Sequence, residues 1–405
     1  MTNSLLCWFC LTTLAAVTAC ADEFVKVKLF DNQAKTLSIS PDGSLIAIGE
    51  EGPEIVICRG RDAEIVHRLT GHTDRVHALH FAPDGKTLVS GGYDKTLRAW
   101  STETGKLLRV VAVMGDVADA RYSPDGEMVV VSFLTSQDLQ IVDPSQGKVL
   151  RRVTSPLKPP ADPSNHLARI AFSPDGSFLA VAYGGRSWPN YSGGDSTIAI
   201  FEIPNWTLRT RFQADHFNID DLEVSPDGRW LAGATNRGKT AKLWKTPGKR
   251  EGKKASPEQI ERHINNLDSD DFFVREAAQR DLETIGTAAL NALEKASRSE
   301  SVEQGLRAKL ILRNLQTSSI EPTHVFRAGG FDVHSVEFSP DGKLLATSRQ
   351  ADKPDHVVLW NLEYDVPRRI VGPHQHGAWS VAFTPDGSSL ITCGRDGHVT
   401  FWTLR

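Results

Sequence analysis

At 405 residues, with 40% apolar and 24% charged side chains, the chain has the composition of a folded globular protein, sized for two ordinary domains or one large repeat architecture. A formal net charge of -4 and a pI near 6.4 exclude any global attraction to nucleic acid or anionic membrane, so such a partner would need a local basic patch. In chain order, the first element is an apolar, charge-free run from Leu5 to Val17, closed by the small residues Ala19, Cys20 and Ala21. The run is too short to span a bilayer and predicts a signal peptide over residues 1–21, hence an exported, periplasmic or secreted protein, although no Lys or Arg precedes it. Val17-Thr18-Ala19-Cys20 leaves a second possibility open: it resembles a lipobox, which would lipidate Cys20 and supply the one route to a membrane. Simple secretion is preferred, because a strand beginning near Phe24 leaves a lipid on Cys20 very little tether. Cys7 and Cys10 fall inside the apolar run, so their C-x-x-C spacing carries no redox meaning.

From residue 40 onward one tetrapeptide recurs seven times: Ser40-Pro41-Asp42-Gly43, Ala82-Pro83-Asp84-Gly85, Ser123-Pro124-Asp125-Gly126, Ser173-Pro174-Asp175-Gly176, Ser225-Pro226-Asp227-Gly228, Ser339-Pro340-Asp341-Gly342 and Thr384-Pro385-Asp386-Gly387. Successive glycines lie 42, 41, 50, 52, 114 and 45 residues apart. Each copy is a turn: proline presets φ, aspartate bonds backbone amides, and glycine adopts a conformation closed to other residues. Alternating runs such as Val76 to Phe81 precede the turns and apolar runs such as Phe178 to Ala182 follow them, so each turn joins two strands.

Repeats of this length and content resemble the WD40 family, which implies an all-β fold, a seven-bladed β-propeller. The resemblance also implies a buried tetrad per blade: His72, Ser90, Asp94 and Trp100 in blade 2, and His374, Thr392, Asp396 and Trp402 in blade 7. Trp244 and Trp360 keep the aromatic position alone, while Phe201, Cys58 and Val142 replace it. The seventh blade has three strands of its own, and the segment from Phe24 to Phe30, alternating apolar and charged residues, is expected to supply the fourth and close the ring. Cys58 and Cys393 then fall in neighbouring blades, as two buried thiols in preference to a disulfide.

The 114-residue gap holds an insert within blade 5. Ser256-Pro257-Glu258-Gln259 is a helix start with a capping box. Phe273, Ala277, Ala278 and Leu282, then Leu290 with Leu293 and Leu306 with Leu310, recur at helical spacing. The run from Leu267 to Leu315 resembles a HEAT-like helical pair. The expected organisation is a propeller over 22–245, a helical insert over 246–320 and the rest of the propeller over 321–405. Lys245, Lys249, Arg250, Lys253 and Lys254 form the one local basic stretch, without interleaved aromatics, and read as a solvated linker, not a nucleic-acid site.

The WD40 resemblance implies that partners dock opposite the repeated turns, around the channel mouth. Transferred by position, one residue per first strand lines it: Lys35, His77, Ala118, Ala168, Asp220, His334 and Trp379, with Arg75 nearby. Two long loops, Thr154 to His166 and Gly184 to Asp195, are expected at the same face, the second carrying Arg186, Trp188 and Tyr191. The chain contains no nucleophile-elbow, phosphate-loop or H-E-x-x-H pattern, and His374 and His376 do not make a metal site once His374 is assigned to the tetrad. The expectation is therefore a non-catalytic scaffold binding a protein or peptide, with no cofactor or metal. The alternative is an exported propeller hydrolase or lyase, for which Asp220 with His334 is the nearest approach to an acid and base.

Overall fold

The computed structural model describes residues 24–404 apart from 61–62, 158–167, 185–195, 236, 247–254, 317–319, 328–331, 350–356, 364–365, 371–373 and 375–376. Seven antiparallel sheets of four strands each form the blades. Their first strands are Ala34–Ile39, Val76–Phe81, Val117–Tyr122, Ala168–Phe172, Ile219–Val224, Val333–Phe338 and Ala378–Phe383. Each packs on the next and the last packs on the first, so they surround a central channel. Second strands such as Val129–Phe133 and Phe178–Tyr183 are buried along their whole length, because a neighbouring blade covers each face and continuous apolar sequence can be accommodated. Fourth strands such as Leu107–Ala112 are largely exposed. The chain is thus an all-β, seven-bladed propeller with one helical insert.

The repeated turn folds by local chemistry. In blade 1 the Ser40 hydroxyl donates to Asp42 at 2.6 Å, Asp42 accepts the Ser44 N–H at 3.0 Å, and the Gly43 N–H closes on the Ser40 carbonyl at 2.8 Å. The seven glycines have φ between 68° and 75°, which a side chain would strain. The turns also touch one another. A Cβ placed on Gly43 would lie 3.1 Å from Pro385 of blade 7, and the glycines at 85, 126, 176, 228, 342 and 387 each face the turn proline of the preceding blade in the same way.

Blade 7 is completed by Phe24–Lys28, which pairs antiparallel with His398–Thr403 from Phe24 opposite Trp402 to Lys28 opposite His398. Lys26 Nζ reaches Asp396 at 2.8 Å. Leu29 and Phe30 then enter an apolar cluster shared by blades 1 and 7, together with Ile46, Val56, Ile391 and Phe401. Cys58 and Cys393 lie in that cluster as buried thiols not joined in a disulfide, and burial pushes the Cys393 thiol up to about 12.

The insert separates the third strand of blade 5, Thr240–Lys245, from its fourth, His324–Arg327. Among the described residues it holds four α-helices: α1 (Pro257–Asn266), α2 (Phe272–Ile285), α3 (Leu290–Ala296) and α4 (Val302–Gln316). Ser256 and Gln259 form the capping box expected at the start of α1. The chain leaves blade 5 with the Thr246 N–H bonded to the Arg229 carbonyl, beside the turn at 225–228, so the insert departs from the turn face. Its α4 packs against the outer strand of blade 4, Thr207–Asp215. The expected apolar stripe is partly corrected. Ala308, Ile311 and Leu312 are the buried side of α4, whereas Leu306 is 58% exposed and Phe273 79% exposed. Helical spacing alone does not say which of two apolar rows meets the core.

Candidate functional site

The tetrad residues stitch blades internally. In blade 2 the Trp100 indole donates to Ser90 Oγ at 2.8 Å, Ser90 Oγ lies 2.7 Å from His72 Nε2, and His72 Nδ1 lies 2.9 Å from Asp94. With Nδ1–H given to Asp94, Nε2 accepts the serine hydroxyl, so the chain of donors runs from tryptophan to aspartate and needs a neutral ring. Burial accordingly holds His72 below the ordinary histidine value despite the neighbouring carboxylate. Blade 7 repeats the arrangement with His374 between Asp396 at 3.0 Å and Thr392 at 2.8 Å, and Trp402 donating to Thr392 at 3.1 Å. Trp360 keeps one bond of the set, to Thr347 at 3.1 Å, while the buried Trp244 indole N–H has no partner and its ring packs on Phe212.

At the mouth, opposite the turns, the first strands bring together side chains from all seven blades around a cavity of about 590 Å³ that runs on to the turn prolines. His334 Nδ1 lies 3.0 Å from Asp220 across the seam between blades 5 and 6, and its ring packs 4.3 Å from the Trp379 ring. Lys35 Nζ stands 5.1 Å and the Arg395 guanidinium 6.0 Å from that indole, whose N–H donates to Gln33 at 3.0 Å. Glu51 joins Lys35 at 3.0 Å and Arg75 at 3.3 Å. The Ala118 carbonyl receives two donors, His77 Nδ1 at 3.0 Å and Arg169 Nη1 at 2.7 Å. Burial, reinforced by the charge of Arg169, pushes His77 down to about 4, and Tyr93 stacks on its ring.

Deeper in the channel, polar side chains of one blade accept backbone N–H groups of the next. Tyr122 N–H bonds His80 Nδ1 at 3.3 Å, Ile170 N–H bonds Asp119 at 3.3 Å, and Val336 N–H bonds Asp221 at 3.1 Å. Accepting at Nδ1 fits a neutral His80, which burial and the Arg121 charge push down to about 3. Arg121 sits between Asp119 at 3.3 Å and Asp221 at 3.8 Å; burial works against its charge, yet these carboxylates and Glu223 hold its pKa above the ordinary arginine value. Glu223 and Glu337 hydrogen-bond each other, and burial raises both, Glu337 well above the carboxylate range.

Of the sequence-derived partner residues, Arg75, His77, Asp220, His334 and Trp379 therefore stand around one mouth. Arg186, Trp188 and Tyr191 lie outside the described residues, as do Cys20 and the rest of 1–21. The positional transfer fails at blades 3 and 4, where Ala118 and Ala168 are fully buried and Asp119 and Arg169 line the cavity instead. Six first strands carry a bulge after their first residue that offsets the mouth position, and Ala168–Phe172 pairs without one. Among the described residues no group of three or more His, Cys, Asp or Glu is arranged to hold a metal, and no helix is long and apolar enough to cross a membrane.

A family model described as "WD domain, G-beta repeat" matches residues 63–101, 206–245, 320–361 and 366–403. The uncharacterized WD repeat-containing protein sll1491 of Synechocystis is 37% identical over 24% of this chain and 29% of its own length. U3 small nucleolar RNA-associated protein 21 of Saccharomyces cerevisiae is 28% identical over 24% of this chain and 10% of its own length. The chain thus spans less than a third of the curated relatives it matches. Among solved structures, the Cps50 (Swd1) β-propeller domain of Myceliophteria thermophila superposes with a TM-score of 0.65 over 94% of this chain and all of that one, at 15% identity. The expectation of an exported, periplasmic or secreted protein is corrected here. The relatives it matches include proteins named for small nucleolar RNA association and for ribosome biogenesis, and those names belong to RNA and ribosome assembly, not to exported proteins. The apolar run that carried the expectation lacks the basic flank of an export signal. WD40 propellers generally bind proteins and are generally non-catalytic. The chain carries WD40 repeats and is a seven-bladed β-propeller.

Proposed function

We propose that the protein is a non-catalytic scaffold that receives a partner polypeptide at the channel mouth, while the helical insert, which resembles a HEAT-like pair, offers a second docking surface on the turn face. The observation that carries the reading is Trp379, a partly exposed indole framed by His334 and Lys35 on strands and by Arg395 in the adjoining turn. Tryptophan and arginine fixed on a rigid rim are the residue types that dominate binding hot spots. Affinity capture with the wild type, Trp379→Ala and Phe273→Asp tests both surfaces. Loss of a captured protein by about tenfold or more in Trp379→Ala, at unchanged melting temperature, is expected for a mouth-bound partner. Equal capture by all three chains overturns the proposal.

The Asp220–His334 pair, at 3.0 Å inside the same cavity, is the observation that favours the second reading, a hydrolase or lyase at the mouth. The neighbouring Ser335 hydroxyl, however, donates to Asp221 at 2.8 Å and not to His334. A scaffold also accounts for the pair, as a bond between adjacent blades.

A further inference from the structure

The two arginines on the channel wall differ in their surroundings. Arg121 is balanced by Asp119 and Asp221. Arg169 makes one hydrogen bond, through Nη1 to the Ala118 carbonyl, and its buried Nε has no partner. No carboxylate stands at ion-pair distance from it among the described residues. Its guanidinium is anchored through Nη1 and its Nε is enclosed, which leaves Nη2 as the nitrogen that meets an oxygen of an incoming acid. His77 points at the same carbonyl, so imidazole and guanidinium lie side by side at the rim.

We infer that the channel mouth recognises the carboxylate of an acidic side chain in a partner peptide, held by Arg169 beside His77, with Lys35 adding positive potential. This rests on the proposed docking at the mouth and names its chemistry. The charged groups around His77 are Arg169, Lys35 and Asp119, and the two cations already act on it to disfavour its protonation, as expected where an anion would be welcome. Lys35 and Arg75 share Glu51, and Arg169 adds a cation that no carboxylate meets at ion-pair distance among the described residues. Asp119 and Asp221 bond Arg121 and backbone N–H groups, and Asp221, which also accepts from Ser335, lies within electrostatic reach of Arg169 without pairing with it. Together with Glu223 and Glu337 they make the deeper channel acidic, which disfavours a dianionic phosphate more than a single carboxylate. Asp220, across the mouth, suits the N–H groups of a peptide backbone.

The probe is the acetylated, amidated peptide Gly-Glu-Glu-Gly, titrated into the full chain at pH 7 by calorimetry and by NMR of the His77 imidazole. The Gly-Gln-Gln-Gly analogue, acetyl-Gly-Gly with a free C-terminus, and inorganic phosphate are the comparison arms. Expected are a shift of the His77 resonances, weaker binding at higher salt, and about tenfold weaker binding to Arg169→Gln, the worth of one charged hydrogen bond. Arg169→Lys should retain part of the affinity, and Lys148→Gln, on an exposed outer strand, all of it. The inference falls if the glutamate peptide does not bind or binds Arg169→Gln equally. It also falls if the glutamine analogue, the free C-terminus or phosphate binds as tightly. Such a failure leaves the docking reading standing if Trp379→Ala still abolishes partner capture, and equal capture sinks docking alone.

Discussion

Glu337 and Glu223 meet across the seam between blades 5 and 6, and a hydrogen bond between two carboxyl groups requires that one of them keep a proton. Glu337, raised well above 4.5 by burial and by its partner, is that one. A carboxyl whose folded value is raised contributes stability that is fully present below its unfolded value and lost as pH rises through the folded value. The histidines act in the opposite sense. His77 and His80, lowered from 6.5 to about 4 and about 3, contribute stability present above pH 6.5 and lost as pH falls toward those values. The melting temperature of the wild type is therefore expected to fall on both sides of neutrality. Glu337→Gln supplies a permanent donor to Glu223, so it should raise the melting temperature at pH 8 and leave the acid limb in place. Thermal unfolding from pH 4 to 9 measures both, and an unchanged value at pH 8 would count against the shared proton.

At the scale of elements, the strand Phe24–Lys28 does two jobs: it pairs with the outermost native strand of blade 7, and it delivers Phe30 to the cluster between blades 7 and 1. Phe30 is 4% exposed, so Phe30→Ala should cost about 3 kcal/mol in denaturant unfolding by leaving a cavity at that seam. A cost below about 1 kcal/mol would show the closing strand to be dispensable. This strand and the seven turns were legible in the sequence because their determinants are local: alternation in one case, and a hydroxyl or carbonyl, aspartate and glycine within four residues in the other. The mouth was legible only in part. His77, Asp220, His334 and Trp379 follow from a fixed offset along the first strands, but the offset depends on a bulge that no residue type announces, and without it blade 4 presents Arg169 in place of Ala168. The outward row of α4 is open in the sequence for a related reason: Leu306 and Leu310 are as apolar as Ile311 and Leu312, and tertiary packing chose between them.

For the molecule as a whole, blade 7 shows that a blade tolerates a chain break between its third and fourth strands. The same break is expected to be harmless elsewhere. Joining residue 404 to residue 24 by a short linker and opening the chain between Glu103 and Thr104, two exposed residues between the third and fourth strands of blade 2, recreates that arrangement. The permutant should fold with a melting temperature within about 2 °C of the parent, equivalent to one or two kcal/mol for a protein of this size. A larger fall would assign blade 7 a special role in closure. The ring of turns has a mechanical counterpart. Because each turn glycine abuts the proline before it, all the way round from Gly43 and Pro385 to Gly387 and Pro340, the turn face is a hoop without ends. Tension applied at any one seam is passed to both neighbours, and a hoop opened at a single joint is still held as an arc, so prising out one blade requires two seams to yield together.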